Sequence, residues 1–116
     1  MNDTPITILR LGLTLNANGL VWYKHEWFGK ETANSYLLKM SEDLPFDKIP
    51  AKRVPKDKLM VPNNVTYDTH KYVSYRVWCL PEMEAEAEAV LYERVISTAK
   101  AIRDEAMQMF YHLEGK

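Results

Sequence analysis

The chain has 116 residues, 47% hydrophobic and 27% charged, with 15 Lys and Arg against 16 Asp and Glu for a formal charge of -1. That length suits one modest core, so a single domain is expected over residues 1–116, and the composition excludes an intrinsically disordered chain. The near-zero charge argues against a general nucleic-acid binder, and the lone Cys79 excludes an intrachain disulfide.

The first ten residues carry no basic segment ahead of an apolar run, and no run approaches membrane-spanning length. A cytoplasmic protein with no membrane partner is therefore expected. Residues 6–15 are apolar and β-branched at their start, Asn16-Ala17-Asn18-Gly19 supplies turn chemistry, and residues 20–28 resume an apolar, aromatic run. Together they predict a β-hairpin. Gly12 inside the first strand marks a bulge or a close backbone approach, and Gly29 is expected to break the chain. Residues 35–40 read as a third strand. Residues 41–50, punctuated by Pro45 and Pro50, read as a loop. Residues 51–54 form a short strand ended by Pro55, residues 56–60 a turn of helix or a link, and Pro62-Asn63-Asn64 another turn.

Residues 71–79 read as the last strand. Its alternation sets Val73, Tyr75, Val77 and Cys79 toward the core and Tyr72, Ser74, Arg76 and Trp78 away from it. An outward Tyr-Arg-Trp row fits a second packing layer, a self-association surface, or a platform where a ring stacks while Arg holds phosphate. Between Glu82 and Glu114 there is no Gly or Pro, and Leu91, Val95, Ala99, Ile102, Ala106, Met109 and Leu113 recur at spacings of three and four. The expected fold is α+β: an antiparallel sheet within residues 1–80, then one long C-terminal helix over 81–116, with Ser97-Thr98 as the place for any break. A helix of roughly 50 Å outruns a small domain, so association as a dimer or larger oligomer is expected. The acidic run Glu82, Glu84, Glu86 and Glu88 complements the helix dipole. The basic run Lys48, Lys52, Arg53, Lys56 and Lys58 reads as a solvated loop or edge strand, with an anion-facing role as the alternative.

No reaction is spelled out. His25, His70 and His112 fall in three separate elements without metal-site spacing, and neither a phosphate-cradling glycine motif nor a nucleophile elbow is present. A non-enzymatic protein without cofactor or metal is expected. If phosphate is bound, side-chain cations must hold it. Arg103 lies at helical spacings from Ile96, Met107 and Phe110, so it either holds a phosphate or pairs with a glutamate of a neighbouring helix. Arg76 or Arg94 would assist, Lys24 adds a further cation, and Trp78 or Trp22 would offer the stacking surface.

In layout the chain resembles small proteins of phages and prophages of Gram-positive bacteria. The segments that carry the resemblance are the hairpin, Lys30-Glu31-Thr32-Ala33-Asn34-Ser35-Tyr36, Arg53-Val54-Pro55-Lys56-Asp57-Lys58-Leu59, and Tyr75-Arg76-Val77-Trp78-Cys79-Leu80 before the helix. Within that group it is most similar to the phage anti-Thoeris sponge proteins of the Tad type. The resemblance implies a protein that sequesters a cyclic ADP-ribose isomer, or a related cyclic oligonucleotide, and assembles through dimers with ligand pockets near subunit contacts. The competing expectation is a phage-encoded inhibitor or adaptor that binds a host defence or nuclease complex.

Overall fold

The alternation of the N-terminal residues builds a long hairpin. Strand β1 (Thr4–Asn16) pairs antiparallel with β2 (Gly19–Glu31) in unbroken register from Thr4↔Glu31 to Asn16↔Gly19. The Asn18 amide donates to Asn16 Oδ1 at 2.8 Å, and Gly19 takes the positive φ of 115° that closes the turn. Two glycine expectations are corrected here. Gly12 faces Tyr23 within the continuous register and makes no bulge. Gly29 does not break the chain; it lies inside β2, opposite Leu38 of the next strand. The close approach belongs to Gly29, because a Cβ there would sit 1.8 Å from the Leu37 carbonyl oxygen.

Strands β3 (Ser35–Lys39) and β4 (Lys52–Pro55) extend one side of the hairpin, while β6 (Val73–Cys79) and the short β5 (Asn63–Asn64) extend the other. Among the described residues the sheet has six strands in the order β4-β3-β2-β1-β6-β5, with neighbours antiparallel. Asn63 and Asn64, expected in a turn, form β5 because they pair with Arg76 and Tyr75. The computed structural model describes residues 4–40, 52–64 and 73–115. The expected loop at 41–50, with Lys48, and the positions of His70 and Tyr72 lie outside these residues.

Leu80 is extended (φ -73°, ψ 149°) ahead of Pro81, whose 3-10 turn leads into α1 (Glu84–Glu114). The helix has 31 residues, about 46 Å, and passes through Ser97-Thr98 without a break. It ends where the Gly115 amide donates to the Tyr111 carbonyl at 2.9 Å. Leu9, Leu11, Leu13, Tyr75, Val77 and Cys79 form one sheet face, sealed by Ala87, Leu91 and Val95. A large aliphatic side chain buried there contributes about 1.5–3 kcal/mol. Lys24 pairs with Glu84 at 3.1 Å, and the Tyr75 hydroxyl meets Thr98 Oγ1 at 3.1 Å, so α1 runs along the sheet toward the hairpin turn. Past Thr98 it leaves the sheet, and residues 101–115 are all exposed. The molecule is accordingly 68 Å long and only 26 Å by 23 Å across. No described helix is long and apolar enough to cross a membrane.

The other sheet face has its own small core of Ile8, Trp27, Tyr36, Leu38, Val54 and Trp78. It is tied down at the β3–β4 side, where Arg53 Nη1 donates to Ser35 Oγ at 2.8 Å and Lys56 pairs with Glu31. The basic run thus supplies an edge strand, with Lys52 and Arg53 on β4.

Candidate functional site

Alternation along β1 places Leu9, Leu11 and Leu13 under the helix and Ile8, Arg10, Gly12 and Thr14 on the opposite face. Register then fixes what stands beside them. Arg10 lies between His25 and Trp78, Gly12 between Tyr23 and Arg76, and Thr14 between Val21 and Ser74. Three adjacent strands span about 10 Å. Tyr23 and Arg76 flank Gly12, each with an atom 3.6 Å from where a Cβ would be, and the glycine leaves the floor between them without a side chain. The result is an open groove of about 580 Å³ lined chiefly by Arg10, Gly12, Thr14, Tyr23, His25 and Arg76, with Lys24 and Ser74 at its margin.

The electrostatics of this groove are one-sided. Arg10 and Arg76 line it, His25 adds a third basic group, and among the described lining residues there is no carboxylate; Lys24, opposite Leu11, turns its ammonium to Glu84 on the helix side. The Arg10 guanidinium sits 5.0 Å from the Trp27 ring centroid and 5.4 Å from that of Trp78, while His25 lies 5.6 Å from Trp27. Two indole rings hold a cation on a half-buried surface, at the boundary between the small aromatic core and the groove. Thr14 Oγ1 and Ser74 Oγ share a hydrogen bond of 2.8 Å at the other end. Such a cavity can take an anion of small-molecule size, with guanidinium groups for its charge and the Tyr23 ring for a flat moiety.

The expected site residues scatter. Arg76 lines the groove, and Lys24 reaches its margin while its ammonium is engaged by Glu84. Trp78 is a correction: it does not point out as a stacking surface but is 6% exposed, packed edge-on against Trp27 at 5.4 Å. Met60 also donates its amide to the Trp78 carbonyl at 2.8 Å, which pairs the outer edge of β6 at this point. Trp22 is 44% exposed, but it pairs with Leu13 and therefore lies on the helix side of the sheet, away from the groove. Arg94 lies 5.7 Å from the Tyr75 ring, on α1. Arg103 stands apart from the groove, on the projecting half of α1. Its surroundings are solvent, with the side chain 66% exposed, and its partner is the adjacent Asp104 at 3.0 Å. These four residues do not share a site with Arg76.

Sequence reading missed Arg10, Tyr23, His25 and Thr14. The signal was present in the strict alternation Leu9, Leu11, Leu13, Leu15 against Arg10, Gly12, Thr14, Asn16. Among the described residues no group of three or more His, Cys, Asp or Glu could hold a metal ion. Cys79 is buried, and burial, followed by Glu84, Glu88 and Glu82, pushes its thiol up to about 11, which leaves it a poor nucleophile at neutral pH.

The fold and groove define an α+β protein with a cationic sheet face. Neither protein-family models, curated proteins nor solved structures yield a match to the chain.

Proposed function

We propose that the protein binds a small phosphorylated ligand of the nucleotide class in the β1–β2–β6 groove and holds it without chemical turnover. The observation that carries this reading is the clustering of Arg10, Arg76 and His25 in a groove with no carboxylate among its described lining residues. A pyrophosphate is met by paired guanidinium groups, and a base or ribose by Tyr23 and the Thr14 and Ser74 hydroxyls. The finer form is sequestration of a cyclic ADP-ribose isomer or cyclic oligonucleotide by a phage protein that disarms host defence. Its support is the segment layout described above together with a groove of suitable size.

Thermal shift against a panel of mononucleotides, ADP-ribose derivatives and cyclic nucleotides tests this directly. A ligand at 100 times its dissociation constant adds about 2.7 kcal/mol, on the order of 10 °C for a domain of this size. A melting temperature unmoved by every phosphorylated compound would falsify the binding reading. The second reading, a protein–protein adaptor, is favoured by a separate observation, the apolar half-helix that no described residue covers. It would then be the one left standing.

A further inference from the structure

We propose that the projecting half of α1 pairs antiparallel with the same segment of a second copy, about a two-fold axis at Ala106. The interface lies away from the groove, which opens on the opposite sheet face, so the two readings stand or fall separately. At 100° per residue, Ile102, Ala106, Met109 and Leu113 point in the direction of Leu91 and Val95. Leu91 and Val95 are fully buried against the sheet, whereas Ile102, Met109 and Leu113 are 49%, 63% and 70% exposed. One stripe therefore continues an interface the fold has already built, past the point where its own sheet stops.

A second copy fits that stripe for three reasons. Helices pack 8–10 Å apart, so another helix can occupy the layer that the sheet fills under the first half of α1. An antiparallel two-fold keeps the two sheets at opposite ends and carries each helix tip toward the other copy's hairpin, where Leu20 and Trp22 are 39% and 44% exposed on the helix side. Centred on Ala106, this register sets Leu113 against Ala99 and Ile102 against Phe110, with the small Ala106 side chains meeting at the axis. It also brings Lys100 toward Glu114 of the second copy. The exposed apolar side chains of the stripe and hairpin hold on the order of 700 Å² per copy, close to the roughly 800 Å² per partner of a stable interface.

Sedimentation equilibrium and cysteine cross-linking of the full chain test this pairing. The expected mass is twice the 13.5 kDa of the chain. Ala106 is exposed, so Ala106→Asp should give a monomer with unchanged circular dichroism. Under oxidation Ala106→Cys should link two copies through a disulfide, because its Cα atoms meet at the axis. Leu113→Cys should not, because the two tips are roughly 20 Å apart. A monomer at every concentration overturns the proposal. So does a dimer in which Leu113→Cys links and Ala106→Cys does not, or in which neither links.

Discussion

The two faces of β1 come from alternate residues of one strand, yet only one is sealed throughout its middle, from Leu9 to Leu13. Under α1 the strand presents leucines, and Ala87, Leu91 and Val95 cover them. On the other face an aromatic core around Ile8, Trp27 and Trp78 gives way to Arg10, Gly12 and Thr14. The sealed face accounts for stability. The half-open face keeps cations at the surface, where desolvation is partial and a ligand can reach them. Changes under α1 or in the aromatic core should therefore cost folding, and changes in the open part of the second face should cost binding.

The largest expected effect separates Gly12 and Gly29, the two glycines inside the strands. Gly29→Ala drives a Cβ to within 1.8 Å of the Leu37 carbonyl oxygen, so the β2–β3 pairing must open. A loss above about 4 kcal/mol, seen as failure to give a cooperative melt, is expected. Gly12→Ala meets nothing closer than 3.6 Å and should leave the melting temperature within a few degrees of wild type. If both variants melt alike, the placement of the close approach is wrong.

Next come the cores. Leu91→Ala removes a fully buried side chain from the helix face and should cost about 2–5 kcal/mol in urea denaturation. Trp78→Ala should cost about 3–5 kcal/mol, because Trp78 is packed against Trp27 and is not a free stacking surface. A Trp78→Ala variant with native stability would return that ring to the list of ligand contacts.

Much of this division could be read from residue order. The hairpin turn at Asn16–Gly19, the strand ended by Pro55 and the uninterrupted helix all follow from local chemistry that tertiary contacts did not override. What period-two alternation cannot reveal is whether a face is covered. Tyr75 and Trp78 lie on opposite faces of β6, and both are buried, since Trp27, Leu59 and Leu80 close over the second. Likewise helical spacing correctly grouped Ile96, Arg103, Met107 and Phe110, but burial there depends on how far the sheet extends under α1. The sheet ends first.

A pH effect of smaller size belongs to the sealed face. The Cys79 thiol is pushed up to about 11 by burial and then by Glu84, Glu88 and Glu82. Above pH 9 the unfolded chain sheds a proton that the folded chain retains, so stability should fall as pH rises from about 9 to about 11. Tyr36, raised from 10.0 chiefly by burial and then by Glu31, adds in the same direction above pH 10. Urea midpoints measured across this range should decline, and Cys79→Ala should flatten the decline; an unchanged slope in that variant removes the thiol as its source.

The smallest effect on folding should come from the groove itself. Arg76→Ala deletes a half-buried side chain from the face away from the helix and should shift unliganded stability by about 1 kcal/mol or less. Its consequence for binding is the most direct test of the proposed site. Titration calorimetry of wild type, Arg76→Ala and Arg103→Ala should be run with the nucleotide that gives the largest thermal shift. A groove site predicts an affinity about 10–100-fold weaker in Arg76→Ala, the loss of one charge-assisted contact, and no change in Arg103→Ala. Full affinity in Arg76→Ala together with its loss in Arg103→Ala would place the ligand on the projecting helix and contradict the groove.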